Sequence, residues 1–149
     1  MTEPVSDAPT DGDLSHNQYT AIAAFRYELR RFLAFSEAAA AGVGLPPQQH
    51  QALLVIAGYE GPARPTVGVV ADKLLIAAHT AAELVARMEV AGLVTKQASA
   101  SDRRRVELAL TPKAAELLHR LTAAHLEELK TLEPALARAV GRLSRTRPG

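Results

Sequence analysis

Residues 67–94, VGVVADKLLIAAHTAAELVARMEVAGLV, and residues 101–112, SDRRRVELALTP, decide the fold of this chain. The first stretch holds two short helical patterns that are separated by a tight turn at 76–78. Thr66 can cap the first helix, and Gly92 is placed to end the second. Two short helices joined in this way predict a helix-turn-helix.

The second of these helices, predicted from Ala78 to Ala91, divides its residues between two faces. Its buried face is predicted to hold Ala81, Leu84, Val85 and Met88. The other face carries Ala78, His79, Thr80, Glu83 and Arg87. A helix fits the major groove of DNA, where Arg87 suits a guanine or a phosphate. Glu83 suits a cytosine amino group or an intrahelical pair with Arg87, and the pair is the favoured interpretation.

A β-hairpin is predicted after this helix, with strands at 93–98 and 106–110. Its tip consists of Ser101, Asp102, Arg103, Arg104 and Arg105. Three adjacent arginines repel one another unless an anion is present, and DNA phosphates or a narrow minor groove supply negative potential. Asp102 can hold one arginine through a charge-assisted pair. The alternative is a solvated surface run.

Helical patterns flank this segment on both sides. The first, from about 17 to 41, ends at Gly42 and Gly44, and a second follows at 46–57. The apolar stripe of the first helix is Ile22, Phe25, Leu29, Phe32 and Phe35. Thr111 and Pro112 start a long helix to about 132, and Pro134 is expected to restart a last helix to 143. The stripe of the long helix is Leu118, Leu121, His125, Leu129 and Leu132.

The outer helices are more apolar than a small winged domain can cover, which predicts a two-fold homodimer. The alternative is that they pack only on their own subunit. The expected fold is mainly α with a small β-hairpin wing. The predicted divisions are a disordered acidic tail (1–14), an N-terminal dimerisation helix (15–45), a winged helix-turn-helix (46–111), C-terminal dimerisation helices (112–143) and a loose tail (144–149).

Charge distribution and residue composition limit the classes of function that this chain can have. The formal net charge is +1, but residues 64–105 contain seven basic and four acidic residues, which is a modest basic patch. There is no cysteine, so disulfides, thiolate catalysis and cysteine-based zinc sites are excluded. No signal peptide or membrane span is expected, which favours a cytoplasmic protein without a membrane partner.

No catalytic site is predicted, because the chain shows neither a phosphate loop nor a nucleophile with its base. No cofactor is expected. His119 and His125 are six residues apart, which does not put two metal ligands on one helix face, and no metal site is predicted.

The two quoted stretches resemble the MarR family of bacterial regulators. The family's wing pattern is matched by Asp102, Arg104, Leu110 and Thr111. The resemblance implies a triangular homodimer on a pseudo-palindromic double-stranded DNA operator. It also implies that Arg104 enters the minor groove with Asp102 bracing it. Regulators of this kind usually repress nearby genes until a small ligand, often phenolic, binds between the dimerisation and DNA-binding regions.

Two features depart from the family pattern. The cap position of the reading helix is Ala77 or Ala78 instead of Ser or Asp, and the first helix lacks the cysteine of peroxide-sensing relatives. Tyr19, Arg26, Arg30 and His50 are the candidate residues for an anionic or phenolic ligand. A solvated or dimer-bridging role is the alternative for the first three, and a surface position for His50.

Two other functions are compatible with the same sequence features. One is a winged-helix module that binds proteins, and the other is a regulator without a small-molecule ligand. DNA binding would be distinguished by its steep weakening as salt rises.

Overall fold

The computed structural model describes residues 15–145. The acidic tail predicted at 1–14 and residues 146–149 of the predicted C-terminal tail lie outside that range. The helices are α1 (His16–Gly42), α2 (Pro47–Ala57), α3 (Val67–Leu74), α4 (Ala78–Val90) and α5 (Pro112–Arg145), and the strands are β1 (Val94–Ala98) and β2 (Val106–Leu110). The predicted mainly α architecture with one hairpin is confirmed.

Three helices end in the same way, with a left-handed residue just beyond the last turn. Gly44 follows α1 with φ of 73°, and Gly92 follows α4 with φ of 74°. Both stops were predicted, because glycine adopts positive φ without a steric cost. Leu75 has φ of 57° at the end of α3, where Ile76 N–H donates to the Ala71 carbonyl at 3.0 Å. A leucine at this position is strained, and the sequence pattern did not predict it.

The wing is tied to the start of α3. Strands β1 and β2 are antiparallel with Val94 opposite Leu110 and Ala98 opposite Val106. Leu108 N–H donates to the Pro65 carbonyl at 2.8 Å, and Thr66 forms an isolated bridge with Glu107. The backbone contacts of Pro65 and Thr66 with β2 therefore hold the hairpin against the helix-turn-helix.

One hydrophobic core holds the middle of the chain together. Its largest fully buried apolar side chains are Leu53, Met88, Leu108, Val70, Val85 and Val94. They come from α2, α3, α4 and both strands, and the core extends to Ala40 in α1 and Leu121 in α5. This arrangement holds α4 by its apolar face and leaves its other face exposed.

The expected break at Pro134 is wrong, because α5 is a single helix of 34 residues that includes this proline. Proline lacks the N–H that would donate to the Lys130 carbonyl, and it costs a helix interior about 3 kcal/mol. Good helix formers surround Pro134 in LEPALARA, so the turns on both sides continue. The same helix includes Ser144 and Arg145, which were predicted to be in the loose tail.

The chain forms two compact units, residues 35–126 and the outer parts of α1 and α5. In the outer unit, Ala21, Leu132 and Ala139 are buried. Several large apolar side chains there stay exposed: Tyr19, Ile22, Tyr27, Leu29, Leu33, Leu129 and Val140. The apolar stripe predicted for α1 is therefore only partly covered within one chain.

Candidate nucleic-acid interface

Helix α4 presents the face that the sequence pattern assigned to it. Ala81, Leu84, Val85 and Met88 are buried, as predicted. On the other side Ala78, His79, Glu83 and Arg87 are exposed, and Thr80 is half-buried. The candidate reading residues therefore share one accessible face that is held by the core beneath it.

The start of α4 has no side-chain cap. Ala77 is the N-cap residue, with φ of −66° and ψ of 151°, and its methyl group cannot accept a hydrogen bond. The first intrahelical bond joins Ala81 N–H to the Ala77 carbonyl at 3.0 Å, which leaves the backbone N–H groups of residues 78–80 without helical partners. A helix N-terminus of this kind favours an anion.

The favoured pairing of Glu83 with Arg87 is wrong. No ion pair joins these two side chains, although both belong to the described part of the chain. Both are exposed, where such a pair contributes only a few tenths of a kcal/mol and does not fix the side chains. Arg87 is therefore available to an external partner.

The wing tip is ordered by backbone hydrogen bonds. Arg104 N–H donates to the Asp102 carboxylate at 3.0 Å, and Arg105 N–H donates to the Asp102 carbonyl at 3.0 Å. Ser99 closes the tip, because its N–H donates to the Arg105 carbonyl at 2.9 Å and its hydroxyl contacts that of Ser101 at 3.1 Å. The turn is thus built from Ser99, Ser101 and Asp102.

Asp102 acts on Arg104 through the main chain. The expected charge-assisted pair between its carboxylate and an arginine side chain is not formed, since the backbone N–H of Arg104 takes that carboxylate instead. Within residues 15–145, Arg103, Arg104 and Arg105 make no ion pair with the protein, and all three are exposed. Three guanidinium groups therefore face solvent from a fixed turn.

A groove of about 380 Å³ joins the wing to the helix-turn-helix. It is lined by Thr66, Val67, Gly68, Ala82, Lys96, Arg104, Arg105 and Val106. Lys96 also pairs with Glu89 at 3.7 Å. Sequence reasoning missed Lys96 and Gly68 here, because only the pairing of the strands with the start of α3 brings these distant positions together.

The base of the wing is anchored on the end of α4. The Thr111 hydroxyl donates to the Gly92 carbonyl at 2.6 Å and accepts from Ala114 N–H at 3.2 Å, so it caps α5 as predicted. The Lys113 ammonium donates to the Ala91 carbonyl at 3.0 Å. The Leu-Thr-Pro sequence thus joins the wing, α4 and α5 at one point.

Comparison with known families agrees with this geometry. The sequence model described as the MarR family matches residues 43–105, which run from the start of α2 to the wing tip. Residues 43–105 are therefore similar to the MarR family. A search of curated proteins gives no match.

Solved structures share the fold of this chain. MepR, a transcription regulator of the Staphylococcus aureus multidrug efflux pump MepA, superposes with a TM-score of 0.69 at 19% identity, over 87% of this chain and 98% of that one. AbsC, a MarR family transcriptional regulator from Streptomyces coelicolor, gives 0.68 at 21% identity, over 80% of each chain. The S. aureus MepR–DNA complex gives 0.65 at 18% identity, over 89% of this chain and 99% of that one.

The candidate ligand residues fall in two places. Tyr19, Arg26 and Arg30 line one open depression of about 410 Å³ along α1, together with Ile22, Ala23 and Tyr27. His50 belongs to the other compact unit and is 1% exposed, so the alternative of a surface histidine is wrong.

Residues 15–145 contain neither a metal-ion cluster nor a membrane-spanning helix. No group of three or more histidine, aspartate or glutamate side chains there is arranged to hold a metal ion. No helix in the same range is both long and apolar enough to cross a membrane.

Proposed function

We propose that this chain is a sequence-specific DNA-binding transcriptional regulator that acts as a homodimer. The observation that carries the proposal is the set of three exposed guanidinium groups at 103–105, which have no counter-ion in residues 15–145 and border a groove shared with α4. Clustered cations on a rigid turn are stabilised by the phosphates of a duplex.

The proposed binding mode follows from this placement. The exposed face of α4, with His79, Thr80, Glu83 and Arg87, enters the major groove, and the wing inserts Arg104 into the neighbouring minor groove. Ser101, Arg103 and Arg105 contact the flanking phosphates. The uncapped start of α4 adds backbone N–H donors for a further phosphate.

The fold similarity gives this proposal independent support. MepR structures bound to DNA, among them one with an oligodeoxyribonucleotide, superpose on most of this chain, so the fold accommodates a duplex. At 18–19% identity this similarity concerns the fold, and the DNA contacts of this chain rest on its own residues.

Dimerisation is proposed through the outer parts of α1 and α5. These parts belong to the dimerisation divisions 15–45 and 112–143 that the sequence predicted. Ile22, Leu33 and Val140 are between 47% and 51% exposed in the single chain. Covering such side chains stabilises a complex by about 25 cal/mol per Å² of apolar surface. A two-fold dimer also repeats the reading helix at one DNA turn, roughly 34 Å, which suits a pseudo-palindromic operator.

We further propose that the regulator is a repressor that a small ligand releases. The depression on α1 combines the phenol of Tyr19 with the guanidinium groups of Arg26 and Arg30. Paired cations beside aromatic rings suit a small aromatic acid or phenolate.

The test is fluorescence anisotropy of the purified protein with the DNA upstream of its own gene and with an unrelated duplex, each at two salt concentrations. The proposal expects tighter binding to the upstream DNA and a steep loss as salt rises. Equal, weak binding to both duplexes would contradict sequence-specific regulation from this site. It would favour the protein-binding winged-helix module instead.

A further inference from the structure

Two histidines are buried side by side in the unit 35–126. His50 of α2 is 1% exposed and His125 of α5 is 8% exposed. Their ring centroids are 5.0 Å apart, and Phe35 of α1 packs edge-on against His125 at 5.4 Å. Titratable side chains from two helices, with a ring from a third, therefore share one closed contact.

His125 is held by a hydrogen bond at each ring nitrogen. Its Nδ1 is 2.6 Å from the Leu121 carbonyl, and its Nε2 is 2.8 Å from the Ser36 hydroxyl. A carbonyl oxygen only accepts, so Nδ1 carries a proton and donates to Leu121, while Nε2 shares a hydrogen bond with the Ser36 hydroxyl. His125 thus links α1 to α5.

His50 lacks an equivalent arrangement. Its Nε2 is buried and has no hydrogen-bond partner among the described residues. Protonation of His50 would place a positive charge in the interior, against a second imidazole and without an acceptor for that N–H. The packing seen here therefore requires a neutral His50.

We propose that His50, His125 and Ser36 form a pH-sensitive lock, which holds α1, α2 and α5 together while His50 is neutral and releases them when acid protonates His50. The lock is distinct from the DNA-contacting residues.

Charge and burial support this assignment. Burial first, and the electrostatic effect of His125 second, lower the pKa of His50 below its ordinary value of 6.5. The unfolded chain therefore binds a proton at His50 more readily than the folded chain. Stability is fully retained above pH 6.5 and falls as the pH drops below it towards the lowered pKa.

The other charged groups on the surrounding elements lie outside this contact. Between residues 35 and 128 they are Glu37 on α1, Asp72 and Lys73 on α3, His79, Glu83, Arg87 and Glu89 on α4, Lys96 on β1, Glu107 on β2, and Lys113, Glu116, His119, Arg120, Glu127 and Glu128 on α5, and all are exposed or half-exposed. None makes an ion pair or a hydrogen bond with His50 in the described part of the chain. No carboxylate is therefore in place to stabilise a protonated His50.

The consequence for DNA binding rests on the proposed function. Helices α1 and α5 both continue from this unit into the parts proposed to form the dimer, so loosening them is expected to weaken operator binding in acid. Because that effect depends on a DNA target, the decisive test measures folding alone.

The experiment is urea unfolding of the wild-type protein, His50→Phe and His119→Gln at fixed protein concentration, between about pH 7.5 and 5.5, above the range in which carboxylates protonate. His119 is an exposed histidine on the same helix as His125 and serves as the matched control. The wild type and the control should show an unfolding constant that rises by up to tenfold per pH unit below about 6.5. His50→Phe should show a flatter profile.

Identical pH profiles for all three proteins would overturn the proposal. If His50→Phe does not fold, His50→Gln replaces it, since an amide is polar but does not titrate. Wild-type NMR adds a readout without mutation of the cluster. The imidazole signal of His50 should titrate below 6.5, and amide exchange at 35–42 should accelerate with it. Titration of His50 at 6.5 with unchanged exchange would also overturn the lock.

Discussion

At the scale of the residue, Ala77 is the clearest departure of this chain from a well-formed helix-turn-helix. It occupies the N-cap of α4 with no side-chain hydrogen bond. Ala77→Ser supplies a hydroxyl that accepts from the first turn, so the free energy of unfolding should rise by about 0.5–2 kcal/mol. Urea unfolding measures this, with Ala63→Ser in the exposed loop as the control. A stability equal to that of wild type would show that the start of α4 is satisfied in another way.

The left-handed residues show what sequence can predict at this scale. Gly44 and Gly92 predict the ends of α1 and α4, because glycine readily adopts positive φ. Leu75 takes the same conformation without any such signal. The tight turn between α3 and α4 imposes it, and the buried neighbours Val70 and Ala71 keep α3 in place.

At the tip of the wing, the sequence predicted the role of Asp102 but not its hydrogen-bond partner. The sequence predicted that Asp102 braces Arg104, but not that it does so through the main chain. A carboxylate two residues before a backbone N–H closes a turn as readily as it pairs with a guanidinium group. Only the backbone path of the hairpin decides between these two partners.

At the scale of the element, the helices and strands follow from local patterns. The Thr66 cap and the Thr111-Pro112 start are short-range signals, and every predicted element is present except the separate last helix, which is part of α5. The groove between the wing and α3 does not follow from local patterns, because Lys96 and Gly68 become neighbours only through strand pairing. Sequence periodicity alone therefore does not predict which residues of different elements come into contact.

Pro134 lies inside helix α5 and lowers the stability of that helix. Pro134 leaves the Lys130 carbonyl without its helical donor, so Pro134→Ala should restore a hydrogen bond. The free energy of unfolding should rise by about 1–3 kcal/mol, less than the full cost of proline because the unfolded chain also becomes freer. Thermal and urea unfolding at one protein concentration measure it, beside Glu133→Ala. Lower stability than wild type would indicate that the proline shapes a contact the protein needs.

At the scale of the whole molecule, the exposed apolar side chains of α1 point to a dimer. Ile22 is 48% exposed in the single chain, and its burial between two copies is proposed. Ile22→Glu would bury an unpaired carboxylate in that interface, so dimers should dissociate at concentrations where wild type is dimeric. Sedimentation velocity checks this, with Ala63→Glu in the winged-helix loop as the control. A dimer that survives Ile22→Glu unchanged would exclude this face of α1.

The central claim is that the wing and α4 bind DNA together, and the affinity of Arg104→Ala for the upstream duplex tests it most directly. Arg120→Ala removes an equally exposed arginine from α5 and is the matched control. Measured by anisotropy at one salt concentration, Arg104→Ala should lose about 1–3 kcal/mol of binding free energy, roughly 5- to 150-fold in Kd, with the oligomeric state unchanged. Arg120→Ala should bind like wild type. An Arg104→Ala protein that binds the duplex as tightly as wild type would contradict the account.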